Sequence, residues 1–261
     1  MSEYYRHPTV LKMLGAISHV LSKFQIDFFV IGALARDMRL SLSPHFSSKR
    51  ATRDVDIAVM VGSAEEFEQI KAALLATGLF TAHERLAISL LYEESIELDL
   101  LPFGGIEDNL GLVRIECPQP FLLDVPGFRE VMPAASPIVV EGVSIRVCSL
   151  EGIVLLKLFA NADNPSRTKD ITDIEHIIRV YFDLETDKIF VEFSDVPDIY
   201  STTDTDYMPL VSARVIGRIM GQLLSTTPAR RQRLLEILYA KTPNRYWPEM
   251  AVGVENFSPT G

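Results

Sequence analysis

Thr52-Arg53-Asp54-Val55-Asp56-Ile57-Ala58-Val59-Met60 is the stretch that decides the fold. From Val55 onward it has the apolar character of a buried strand, yet it begins with two carboxylates one residue apart. Residues two apart on a strand project from the same face. Asp54 and Asp56 therefore point together, and their mutual repulsion calls for a cation or a proton. Hard oxygen donors of this kind suit Mg²⁺, which takes one or two carboxylates, keeps several waters and meets substrate phosphates through its remaining positions. Taken alone, the pair reads equally as a strand end with solvated charges.

The neighbouring segments add to the pair. Asp27-Phe28-Phe29-Val30-Ile31 reads as a short strand running into Gly32-Ala33-Leu34-Ala35-Arg36-Asp37, with helical composition as far as Leu42. A strand that turns at glycine into a helix presents free backbone amides at the helix start, and such amides bind phosphate. Downstream, Glu94-Ser95-Ile96-Glu97-Leu98-Asp99-Leu100-Leu101 alternates, with Glu97 and Asp99 on one face and Ile96, Leu98 and Leu100 on the other. Asp99 supplies a third carboxylate.

Gly-Ala-x-Ala-Arg-Asp, then Thr-x-Asp-Val-Asp, then a lone Asp in an Ile-x-Leu-Asp strand resembles the nucleotidyltransferase superfamily related to DNA polymerase β. A second block, residues 149–160 (Ser-Leu-Glu-Gly-Ile-Val-Leu-Leu-Lys-Leu-Phe-Ala) followed by Arg167-Thr168-Lys169-Asp170-Ile171-Thr172-Asp173-Ile174, is similar to the lysine helix and the (R/K)-D-x-x-D helix of AbiEii-type nucleotidyltransferases, the toxin side of abortive-infection systems. The resemblance covers roughly residues 10–180. Ala33 departs from the Gly-Gly or Gly-Ser of the first motif and removes a serine hydroxyl that could reach a terminal phosphate. The gap from Gly32 to Asp54 is also longer than in minimal members, and residues 41–50 read as a polar loop on the active-site rim.

The resemblance implies an α/β (α+β) fold: a mixed sheet flanked by helices over residues 1–148, and a mainly helical region, 149–261, that completes the nucleotide site. It assigns Asp54, Asp56 and Asp99 to two Mg²⁺ ions and to catalysis. Acceptor oxygen attacks the α-phosphate of an NTP in line and pyrophosphate leaves, with Asp99 helping to remove the acceptor proton. Gly32, Ala33, Arg36, Lys157 and Asp170 fall to nucleotide binding. Lys157 lies among apolar residues, where a charge must snorkel or find a partner. That partner is a triphosphate or an ion pair with Asp170 and Asp173, which are three apart on one helix face. Arg36 likewise meets phosphate or pairs with Asp37.

Composition sets bounds. The chain of 261 residues has 48% hydrophobic content and a mean hydropathy of +0.17, which favours a folded protein with a sizeable core. No run reaches the ~18 apolar residues of a membrane span, and residues 1–8 lack a signal-peptide pattern; the expected location is the cytoplasm. Cys117 and Cys148 have no ligand spacing and read as small apolar groups rather than a disulfide. The histidines show no zinc spacing, and no P-loop or nucleophile elbow is present.

The net charge of −10 is unevenly spread. Residues 183–208 carry eight acids against Lys188, and the next stretch to Arg245 carries Arg214, Arg218, Arg230, Arg231, Arg233, Lys241 and Arg245 against Glu236. This is either a basic acceptor-binding face, for tRNA or another polyanion, or two segments that neutralise each other.

Along the chain, Val10, Leu11, Leu14, Ile17, Val20 and Leu21 predict an amphipathic first helix. Ser63-Ala64-Glu65-Glu66 predicts a capping box, residues 79–82, 87–92 and 96–101 predict short strands, and Glu141-Gly142 predicts a hairpin. Residues 118–128, punctuated by Pro118, Pro120 and Pro126, read as a connection. The leading function is transfer of a nucleoside monophosphate to tRNA or protein, toxin-like and with a cognate antitoxin as a further partner. The alternatives are a small-molecule transferase similar to the aminoglycoside nucleotidyltransferases and a catalytically silent nucleotide-binding module.

Overall fold

Helical spacing of apolar residues builds α1 (Pro8–Lys23), whose Val10, Met13, Leu14, Ile17 and Leu21 are buried. Pro8 opens it, where a missing N–H costs nothing. The protein is described as a computed structural model, over residues 4–42, 54–83, 86–108, 111–115, 121–240 and 245–256. Ser43 to Arg50 of the expected rim loop, Thr52, Arg53, Cys117, Pro118, Pro120 and Lys241 lie outside the described residues. Two compact units result, Met1–Ser149 and Leu150–Gly261.

In the first unit α1 leads to β1 (Phe28–Ile31), α2 (Gly32–Leu40), β2 (Asp54–Val61) and α3 (Ala64–Ala76). The expected cap forms with one difference: Ser63 Oγ accepts from the Glu66 amide at 3.2 Å, while the Glu66 carboxylate reaches one residue past the N-cap and accepts from the Gly62 amide at 2.5 Å. Then follow β3 (Phe80–Ala82), β4 (Ser89–Tyr92), β5 (Ile96–Gly104), β6 (Leu112–Ile115), β7 (Phe121–Asp124), the single turn α4 (Phe128–Val131), β8 (Ser136–Val140) and β9 (Val143–Val147).

Seven strands make one mixed sheet in the order β3-β4-β5-β2-β1-β9-β8. β2 pairs with β5 and β1 with β9 in parallel, and the other neighbours are antiparallel. β2 is central, and its Val55, Ile57, Ala58, Val59 and Val61 are buried. The β8–β9 hairpin turns at Glu141 and Gly142, both left-handed with φ 49° and 82°, the twist that matches the flanking strands.

One expectation is corrected. Residues 118–128 are not only a connection: Phe121–Asp124 pairs antiparallel with Leu112–Ile115 as a separate two-stranded sheet. A strand of four residues is too short for alternation to show.

The second unit contains α5 (Leu150–Asp163), α6 (Thr168–Leu184), α7 (Thr186–Glu192), α8 (Tyr207–Leu223), α9 (Pro228–Ala240) and α10 (Tyr246–Glu255). α8 and α10 cross backbone to backbone, with Gly217 against Met250 and Gly253 against Arg214 and Arg218. Single Trp247 of α10 is fully buried. Cys148, at the end of the first unit, is buried.

α5, α6 and α7 are tied by the buried carboxylate of Glu151, which accepts from Lys188 Nζ at 2.6 Å and Tyr181 Oη at 2.5 Å. Burial by itself raises the Glu151 pKa, but the Lys188 ammonium and these hydrogen bonds outweigh it, and the net shift is downward from 4.5. A carboxyl with a depressed folded pKa contributes stability that is complete above its unfolded value and is lost as pH falls through the folded one. Glu151→Gln is therefore expected to destabilise the protein by about 3 kcal/mol at pH 7, since it leaves Lys188 facing a neutral amide. The gap between wild type and variant should narrow as pH drops below 4.5. Urea unfolding at a series of pH values checks this; a gap independent of pH would show that the charge is not what stabilises.

Candidate active site

Strand register brings the carboxylates together. Asp54 pairs with Glu97 and Asp56 with Asp99 along the parallel β2–β5 ladder, Ile31 of β1 lies opposite Asp56, and Ser89 of β4 lies opposite Asp99. Side chains paired across a ladder share a face, so Asp54, Asp56, Glu97 and Asp99 form one row on two adjacent strands. Asp54 is exposed and the other three are half-buried. Glu97 stands in the row with the three predicted acids, and its alternation with Asp99 is visible in the sequence.

Asp99 feels the row. Burial raises its pKa, the Ser89 hydroxyl hydrogen bond opposes that, Asp54 adds to the rise, and His83 lowers it; the net direction is up. Ser89 Oγ donates to Asp99 Oδ1. Ser89 and His83 carry no local signal of such a role, because both meet Asp99 through folding alone.

Gly32 has φ +67°, and a Cβ placed there would fall within the van der Waals envelope of Asp56 Oδ2 and 3.0 Å from Asp56 Cγ. Glycine is thus required twice, for its backbone angle and for the closeness of the Asp56 carboxylate. It and the half-buried Ala33 open α2. Arg36, of the same helix, is buried and donates through Nε (2.9 Å) and Nη2 (2.7 Å) to Asp37 Oδ1. The ion pair with Asp37 is therefore formed.

Among the described residues no three His, Cys, Asp or Glu side chains are gathered as a ready metal-holding group. The row nevertheless fits a hard divalent cation by its chemistry. Its charged donors are all carboxylate oxygens, set in register on two adjacent strands.

In the second unit, Lys157 Nζ donates to Asp170 Oδ1 at 2.7 Å and pairs with Asp173 Oδ2 at 2.8 Å. Arg167 Nε donates to Asp170 Oδ2 at 2.7 Å. Asn161 Nδ2, one turn beyond Lys157, donates to the Arg167 carbonyl at 3.0 Å. Two carboxylates three apart on α6 thus hold the ammonium of α5, and two cations balance two anions.

The arginines of residues 214–245 are largely engaged within this unit. Arg218 pairs with Asp195 at 2.5 Å, Arg245 with Asp204 at 2.7 Å and Asp206 at 3.3 Å, Arg214 with Glu249, and Arg233 with Asp163. Arg231 donates to the Val254 carbonyl, at the end of α10, at 2.7 Å, where a cation suits the helix dipole. Arg218 and Arg245 thus neutralise acids of the 183–208 segment, while Arg214 and Arg233 find theirs elsewhere in the unit.

Among solved structures the chain is similar to the lincosamide antibiotic adenylyltransferase LnuA with lincomycin bound (19% identity, 63% of this chain and 93% of that one, TM-score 0.38). It is also similar to ANT(2")-Ia in complex with adenylyl-2"-tobramycin (18%, 73% and 98%, 0.43). A third is the Thermotoga maritima CCA-adding enzyme complexed with tRNA (17%, 95% and 51%, 0.30). No curated protein matches the chain. The family described as "Nucleotidyl transferase AbiEii toxin, Type IV TA system" matches residues 18–260. With that match over most of its length, and with the acids of the D-x-D strand and Asp99 aligned on one sheet face, the chain belongs to the AbiEii family of nucleotidyltransferases.

Proposed function

We propose that the protein transfers a nucleoside monophosphate from an NTP to a hydroxyl of tRNA or protein, as a toxin-like effector with a cognate antitoxin, in the cytoplasm. The observation that carries this reading is the row of Asp54, Asp56 and Asp99 on adjacent strands. Asp54 and Asp56 would hold Mg²⁺, with Asp99 completing the set. Bound there, the metal supplies charge stabilisation for the triphosphate and for the attacking and leaving oxygens. Asp99 takes the proton of the acceptor hydroxyl as its oxygen bonds to the α-phosphorus and the bond to pyrophosphate breaks. The amides at the start of α2, at Gly32 and Ala33, receive phosphate. Lys157 and Asp170 are assigned to the nucleotide, with Asp170 holding the ammonium in place. Arg36, whose Nη2 pairs with Asp37 at 2.7 Å, is assigned to the nucleotide as well, with Asp37 holding its guanidinium in place. Among the described residues no helix is long and apolar enough to cross a membrane.

The test is transfer of label from each of four α-³²P NTPs, with Mg²⁺, into total tRNA, cell protein and aminoglycosides, beside Asp54→Asn and Asp56→Asn. Label in tRNA or protein is expected, reduced at least about a thousandfold in either variant, as loss of metal charge stabilisation is worth several kcal/mol. Label confined to aminoglycosides would shift the reading to a small-molecule transferase. NTP binding without label in any pool would favour a silent nucleotide-binding module.

A further inference from the structure

Asp99 sits on a strand flanked by β4, and the side chain that β4 sets opposite it is a hydroxyl. Ser89 is buried at 2% exposure, lies in antiparallel register with Asp99 and donates Oγ–H to Asp99 Oδ1. Its own backbone is held from both sides. The Ser89 amide donates to the Leu86 carbonyl at 3.3 Å, and its carbonyl accepts from the His83 amide at 3.2 Å. The His83 ring closes that turn by accepting at Nδ1 from the Leu86 amide at 3.1 Å. The fold by itself therefore fixes the backbone that carries the hydroxyl.

The terminal torsion of an aspartate is broad and nearly two-fold, so a carboxylate left to itself samples many orientations. A buried donor on one oxygen removes that freedom. We propose that Ser89 is a positioning residue for Asp99: by occupying Oδ1 it fixes the carboxylate rotation and leaves Oδ2 as the oxygen offered to cation and acceptor hydroxyl. This inference rests on the assignment of Asp99 made above. Groups that orient a metal-binding carboxylate act through it rather than on substrate, and their loss typically costs about 10- to 100-fold in metal affinity or activity.

The full-length chain is compared with Ser89→Ala, Ser89→Thr and Asp99→Asn in two measurements. One is Mn²⁺ binding by electron paramagnetic resonance, which requires no turnover; the other is labelled transfer resolved into kcat and KM for NTP. Ser89→Ala, with an unchanged circular dichroism spectrum, is expected to weaken Mn²⁺ binding and to lower kcat by about tenfold or more, leaving KM for NTP within about twofold. Ser89→Thr, which keeps the hydroxyl, restores most of both. Mn²⁺ affinity and kcat within about twofold of wild type in Ser89→Ala would overturn the proposal. So would equal losses in the alanine and threonine variants, which would assign the effect to packing. Full Mn²⁺ binding and transfer in Asp99→Asn would instead remove the assignment of Asp99 itself, separating that failure from a failure of Ser89.

Discussion

Gly32→Ala is expected to lower nucleotidyl transfer by at least about a hundredfold while the protein stays folded at room temperature. The two effects separate because of what the new methyl group meets. Its close contact is the end of the Asp56 side chain, not backbone, so the carboxylate can swing aside without moving β2. The fold pays mainly for an alanine at φ +67°, about 1–2 kcal/mol. Chemistry loses more, since displacing a catalytic group by about 1 Å can cost a hundredfold. Thermal melting and labelled transfer on one preparation check both parts. Activity within threefold of wild type, with the fold intact, would mean that the position of Asp56 against Gly32 is not the active one.

Gly217→Ala should act in the opposite way, on stability above all. The methyl group would meet the Met250 backbone, with the carbonyl carbon and Cα each 2.9 Å away, and Gly253 on the other helix is equally confined, 2.9 Å from the Arg218 amide. Nothing there can rotate out of the way, so α8 and α10 must separate and open contacts along their length. Such overpacking typically costs 1–3 kcal/mol and occasionally more; two rigid backbones place this case at about 3 kcal/mol or above. Trp247, buried in α10 and the chain's single tryptophan, reports the change as a lowered urea midpoint by fluorescence. Gly15 is the control: nothing lies within 4 Å of its added Cβ, and alanine there should stabilise α1 by roughly 0.5–1 kcal/mol. Equal destabilisation at both positions would refute the backbone-contact explanation.

Features with a short sequence period are legible in the sequence alone. Alternation at Ile96, Leu98 and Leu100 against Glu97 and Asp99 fixes which side chains share a face, because a strand repeats every two residues. Ser63 and Glu66 announce the start of α3 through hydrogen bonds spanning three and four residues. Lys157, stranded among apolar neighbours, announces a need for a partner. The spacing of two aspartates on the next helix marks them as candidates, and both pair with it. The β6–β7 pair escapes such reading because four-residue strands carry too little pattern to separate them from a loop.

By itself, then, the sequence determined the α/β class, the strand and helix that carry the first motif, the three acids and the lysine helix, all of which depend on neighbours a few positions away. Tertiary structure alone decided that Glu97 stands beside Asp54, that Ser89 meets Asp99, that Asp56 rests on Gly32 and that α8 and α10 touch at glycine. It also decided that Arg218 and Arg245 answer Asp195, Asp204 and Asp206 within their own unit. Each of these depends on strand register or helix crossing. A one-residue slip in register would turn every side chain of a strand to the other face, and no local pattern in Ser89 or Gly217 records which distant residue the fold will bring against it.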